Sequence, residues 1–140
     1  MKTLIEIALA QYGIKEIAGA ANNRTILDYA KESGFEWVNN DETPWCSIFA
    51  NWVALKADLP RSLNATARSW LGVGREVHNP ELGDIVVFRR GTSAWEGHVA
   101  FYINEEDGFI NVLGGNQSDQ VRIAAYNKAN LLGYRRLTSV

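Results

Sequence analysis

Cysteine is all but missing from this chain. Cys46 stands alone among 140 residues, so no disulfide can form within the chain, and the disulfide framework of a small secreted scaffold is excluded. Long apolar runs are missing too, and nothing reads as a membrane span. Positive charge is neither abundant nor clustered. The 14 Lys and Arg against 16 Asp and Glu give a formal charge of -2, and only Arg89-Arg90 and Arg135-Arg136 are adjacent, which excludes the basic footprint of a nucleic-acid binder. Repeats, low-complexity tracts and linkers are absent, so residues 1–140 read as one domain. Met1 to Ala10 is apolar like an export leader, but Glu6 interrupts it and its period is helical. Read as an amphipathic helix, it leaves the chain with no export signal of its own.

What is present is enough apolar material for a core, 46% of the residues with five tryptophans. Helical spacing predicts a first helix over Thr3 to Tyr12, ended by Gly13. A second, capped by Asn22 or Asn23, runs to Ser33 with Gly34 at its end. A third runs from Pro44 to about Ala57, with Thr43 as its N-cap and Pro44 at its first position. Asn64 can cap a short helix over Ala65 to Leu71. From Arg75 onward the pattern turns to strands: Arg75 to His78, Gly83 to Arg89, Gly97 to Ile103, Phe109 to Leu113, Val121 to Tyr126 and Leu132 to Leu137. Helices first and strands second, with short turns between strands, predict an α+β domain with an antiparallel sheet.

Cys46 falls in the first turn of the third helix. Unpaired N–H groups and the positive end of the helix dipole favour a thiolate there. A lone cysteine in an apolar helix is usually a small buried hydrophobe, so its company matters. A cysteine nucleophile needs a base and a group that orients the base. Only two histidines exist, and His78 lies beside a turn signal at Asn79-Pro80. His98 opens a strand after Gly97. Alternation puts His98, Ala100 and Tyr102 on one face and Val99, Phe101 and Ile103 on the core face. A three-residue hairpin loop at Glu106-Asp107-Gly108 places His98 opposite Asn116, whereas a two-residue loop at Asp107-Gly108 places it opposite Gln117. Either register brings an amide to the imidazole, and Gly114-Gly115 allows a close approach or a bulge.

Four segments in this order carry a resemblance: Pro44-Trp45-Cys46-Ser47, Gly83 to Phe88, Gly97 to Tyr102, and Gly114-Gly115-Asn116-Gln117. Together they resemble the papain-like cysteine peptidases of the NlpC and CHAP type, which act on bacterial cell-wall peptides. Ala67 to Leu71 and Leu132 to Arg135 are similar to a small subfamily found in bacteriophage genomes and prophage regions. The resemblance covers about Asp41 to Leu137. It implies a papain-like fold with the cysteine helix packed on an antiparallel, barrel-like sheet. It also implies Cys46 as nucleophile, His98 as base and Asn116 as the orienting residue, with Asp84 structural. Trp45 and Gln117 are expected to contact substrate. Two features depart from the pattern. Trp45 stands where many relatives carry Asp or Asn, and no Tyr lies in the connector before the cysteine helix to help the oxyanion, which leaves Asn39 or Asn40 as donors.

The function implied is hydrolysis of an amide in the peptide part of peptidoglycan by a monomeric enzyme needing neither metal nor organic cofactor. The acidic Glu105-Glu106-Asp107 turn reads as a solvated hairpin tip, since an EF-hand ligand pattern is missing. Without an export signal, such an enzyme would reach the wall through a phage holin or a secretion apparatus, as an endolysin or lytic effector. The alternatives are an N-acetylmuramoyl-L-alanine amidase with the same triad and a non-catalytic wall-binding module.

Overall fold

The computed structural model describes residues 3–17, 23–38 and 45–138. Among the described residues, three α-helices precede the sheet: α1 (Leu4–Leu9), α2 (Arg24–Glu32) and α3 (Cys46–Lys56). α1 begins with a reciprocal capping box between Thr3 and Glu6. Asn23 caps α2 by accepting from the Thr25 N–H at 2.8 Å. α3 starts two residues later than its sequence suggests. Trp45 is its N-cap, without a side-chain capping bond, and Cys46 is the first helical residue. Thr43 and Pro44, the expected cap and first position, lie outside the described residues, as do Asn39 and Asn40. The segment expected as a short α-helix is a 3-10 turn over Ala67–Gly72. Asn64 accepts from the Thr66 N–H at 2.8 Å but does not cap it.

Six strands follow: β1 (Arg75–Val77), β2 (Ile85–Arg89), β3 (Gly97–Glu106), β4 (Phe109–Gln117), β5 (Gln120–Asn127) and β6 (Leu131–Arg136). They form one antiparallel sheet in the order β1-β6-β2-β3-β4-β5. The expectation of a barrel-like sheet is corrected here: β1 and β5 are edges that do not pair with each other, so the sheet stays open. Among the described residues, no helix is long and apolar enough to cross a membrane.

Alternation along the strands makes two apolar faces. Ile85, Val87, Val99, Phe101 and Leu113 pack with Ile48, Phe49 and Val53 of α3. Val86, Phe88, Ala100, Ile110 and Val112 form a second buried cluster, covered by Tyr102, Tyr126 and Leu131 rather than by any described helix. Asp84, at the start of β2, has the structural role expected of it. Its carboxylate accepts from the Glu81 N–H at 2.7 Å and takes two bonds from the Arg136 guanidinium, at 2.9 and 2.7 Å. The bidentate pair ties the start of β2 to the end of β6.

The β3–β4 hairpin decides where the later residues fall. Glu106 pairs with Phe109, so the loop is the two-residue Asp107-Gly108, with φ +51° and +81° at its centre. A bulge between Tyr102 and Asn104 then shifts the ladder by one, and Phe101 pairs with Leu113. Loop and bulge together restore the register that a three-residue loop would have produced. The ladder breaks again between Gly114 and Gln117. A Cβ on Gly115 would stand 2.7 Å from the Trp45 ring and 2.8 Å from Phe49 Cβ, so only glycine lets β4 lie this close to α3.

Candidate active site

α3 carries its chemistry at one end and its anchors just inside. Ser47 and Asn51 are fully buried polar residues one turn apart. The Ser47 hydroxyl donates to the Asn64 carbonyl at 2.7 Å and accepts from Trp70 Nε1 at 2.9 Å. Asn51 donates to the Ser47 carbonyl at 2.9 Å and accepts from the Leu63 N–H at 2.9 Å. These bonds fasten residues 62–66 and the 3-10 turn to the first two turns of α3. Arg68, on that turn, donates to the carbonyls of Glu96 at 2.8 Å and Ser93 at 2.7 Å, which holds the loop before β3. Arg135 donates to the Leu71 carbonyl at 2.9 Å. The segment Ala65 to Ala67, held by these bonds, and the loop before β3 form walls of a cleft beside Cys46, while Arg135 braces the 3-10 turn from behind. The cleft holds about 230 Å³ and is lined by Cys46, Thr66, Arg90, Trp95, Glu96 and Asn116, among others.

Cys46 is 8% exposed and opens onto this cleft. Its N–H and those of Ser47 and Ile48 precede the first helical bond, Phe49 N–H to the Trp45 carbonyl, at the positive end of the helix. His98, at the start of β3, is 4% exposed. Its ring stacks on Tyr126 with centroids 5.0 Å apart, and Tyr126 in turn stacks on Phe88. His98 Nε2 lies 2.9 Å from Gln117 Oε1. The ring's other nitrogen, Nδ1, is buried and makes no hydrogen bond of standard geometry among the described residues, although the ring acts on the Cys46 thiol. By elimination it is the nitrogen available to the thiol. Catalytic pairs often stay loose until substrate arrives.

The thiol responds to this setting. Burial pushes its pKa up, but the hydrogen bond and charge of His98, the Val99 backbone N–H and the charge of Arg90 together hold it below the ordinary thiol value. Tyr126 moves the other way. Burial first, and then the nearby Cys46, push its hydroxyl up to about 12.

The structure brings Cys46 and His98 together and redistributes the three remaining residues. The amide on His98 is Gln117, not Asn116. Asn116 sits at φ +59°, where the ladder is broken, and is half-buried in the cleft wall. The left-handed backbone there turns β4, and the longer Gln117 side chain reaches the ring. Gln117 is correspondingly unavailable to substrate. It is 2% exposed, and its Nε2 donates to the carbonyls of Arg122 at 2.6 Å and Val112 at 3.4 Å. Trp45 is no substrate contact either. It is 1% exposed within the core, and its indole N–H donates to Glu16 at 2.7 Å. No sequence signal pointed to Arg90, Trp95 or Tyr126 as part of the site. Arg90 follows Arg89 at the end of a strand, and only the pairing of Phe88 with His98 brings that end to the thiol. Among the described residues, no group of three or more His, Cys, Asp or Glu is placed to hold a metal ion.

A thiol at the start of a helix, packed on an antiparallel sheet whose strand supplies an imidazole held by an amide, defines a papain-like cysteine peptidase architecture. The model of the CHAP domain matches residues 37–116, more than half of the chain. The chain belongs to the CHAP domain family. Its fold is similar to a solved Staphylococcus aureus subsp. aureus Mu50 protein described as similar to lipoprotein, NLP/P60 family. The TM-score is 0.53 at 19% identity, over 96% of this chain and 40% of that one. The chain therefore spans less than half the length of that structural relative. No curated protein matches it in sequence.

Proposed function

We propose that this chain hydrolyses an amide in the peptide part of peptidoglycan, with Cys46 as nucleophile, His98 as acid and base, and Gln117 as the residue that orients the imidazole. One observation carries this reading. The His98 ring has one nitrogen committed to a buried amide and the other left beside a thiol held below its ordinary pKa. The Cys46 sulfur attacks the carbonyl carbon, and N–H groups at the start of α3 receive the negative oxygen. The C–N bond then breaks as protonated His98 gives its proton to the leaving amine. Water, deprotonated by His98, attacks the thioester, the C–S bond breaks, and the acid product leaves. The subfamily features at Ala67–Leu71 and Leu132–Arg135 favour a lytic enzyme of phage or prophage type, an endolysin or a secreted effector.

The test is turbidity clearing of purified peptidoglycan by wild type and Cys46→Ala, with mass spectrometry of the fragments. Wild type is expected to clear the suspension and the variant to leave it turbid; equal clearing by both would sink the thiol mechanism. Fragments cut within the stem peptide identify an endopeptidase, whereas intact stem peptides freed from the glycan identify an N-acetylmuramoyl-L-alanine amidase.

The two amides separate cleanly in kinetics. Gln117→Ala removes a hydrogen bond to a ring that is charged during catalysis and is expected to lower kcat by roughly tenfold to a hundredfold. Asn116→Gly, which removes the amide but keeps the left-handed backbone at φ +59°, leaves kcat within about twofold, because the Asn116 side chain makes no such bond among the described residues. The reverse ranking would return the orienting role to Asn116.

A further inference from the structure

We propose that Arg90 forms a carboxylate-binding subsite of the Cys46 cleft, with Trp95 as its apolar wall, and that the enzyme selects peptide substrates bearing a free carboxylate close to the scissile amide. This rests on the thiol-hydrolase reading above and names the chemistry that the cleft recognises. The cleft lining brings Arg90 and Trp95 together with the nucleophile. Arg68, Arg135 and Arg136 are committed to carbonyls or carboxylates of the fold. Arg90 is exposed, and its guanidinium has no ion pair or hydrogen bond among the described residues, so its five donors are left to a ligand. A guanidinium in that state matches a carboxylate with two parallel bonds.

Trp95 is 71% exposed, the most exposed of the large apolar side chains described. Its loop is nevertheless pinned. The Ser93 hydroxyl accepts from the Trp95 and Glu96 N–H groups at 3.3 and 3.0 Å, and Arg68 holds the carbonyls on either side. An indole held in water by a fixed loop, on the rim of a cleft, is placed to cover the apolar part of a bound chain. Glu96 lines the same cleft, so its charge balances that of Arg90. A polyanion such as a phosphate polymer finds no surplus of positive charge there, whereas a single carboxylate needs only the one guanidinium.

The experiment compares wall-derived peptide substrates that differ only in amidation, one pair at a side-chain carboxylate and one pair at the C-terminal carboxylate. Arg90→Gln is expected to lower kcat/KM for the free acid about tenfold or more beyond what it costs the matching amide, because the Arg90 charge also acts on the thiol and that part of the loss is common to both substrates. Arg90→Lys restores part of the preference. The position whose amidation removes the Arg90 effect identifies the carboxylate. Equal losses on acid and amide would overturn the proposal, since a change in thiol reactivity acts on both alike. Calorimetric titration of Cys46→Ala with the same peptides reads binding without turnover. Acid binding about tenfold tighter than amide supports the subsite, and equal binding refutes it. Displacement of the peptide by inorganic polyphosphate would reassign Arg90 to polyanions. If wild type cleaves none of the peptides, the hydrolase reading fails, while the binding preference still decides the role of Arg90.

Discussion

His98→Ala is expected to lower kcat/KM for wall-peptide hydrolysis by about three orders of magnitude, while the protein stays folded. His98 supplies both proton transfers and also holds down the pKa of the thiol. Burial is the largest influence on Cys46 and pushes its pKa up, and His98 opposes it twice, by hydrogen bond and by charge. Without the ring, only the Val99 N–H and the Arg90 charge remain against desolvation, so the thiol must titrate at higher pH. The sign is open to direct measurement with iodoacetamide, which reacts with the thiolate. In wild type the alkylation rate should persist below the ordinary thiol range and fall only as pH drops through the lowered pKa. In His98→Ala the whole profile should move to higher pH. Coincident profiles would mean that ring and thiol do not interact. The imidazole is buried and stacks on Tyr126, so its removal also costs packing, and unfolding followed alongside separates lost chemistry from lost structure.

Gly115→Val is expected to destabilise the domain by about 3 kcal/mol, a fall in Tm of roughly 10 °C, and to remove activity even where the protein remains folded. A Cβ at this position would stand within 2.8 Å of two Trp45 ring atoms and of Phe49 Cβ. None of these is the free end of a flexible chain. Trp45 is locked by its bond to Glu16, and Phe49 belongs to α3 itself. Relief therefore has to come from β4, which carries Asn116 and Gln117 in the next two positions. Thermal melts and clearing assays on the same preparation separate the two effects. A variant with unchanged Tm would show that the helix and β4 are less tightly packed than their geometry requires.

The class of fold was legible because its signals are local. Helical spacing from Thr3 ended by Gly13, an asparagine cap at Asn22 or Asn23, and alternation along Ile85 to Arg89 and Gly97 to Ile103 each depend on a few neighbouring residues. The pairing of Cys46 with His98 was legible for a similar reason, since one thiol and two imidazoles leave few combinations. Tertiary structure decided what hangs on register. A two-residue turn and a one-residue bulge cancel in the count, and the broken ladder at Gly114–Gln117 then exchanges the expected places of Asn116 and Gln117. Strand order decided that the sheet stays open. Packing decided that Trp45 is core while Trp95 is surface, because burial depends on which element lies opposite and not on residue type. Arg90 reaches the thiol only through the pairing of β2 with β3. The sequence by itself thus determined which chemical groups the site could use. The meeting of strand ends distant in sequence decided which amide holds the imidazole and which charge faces the cleft.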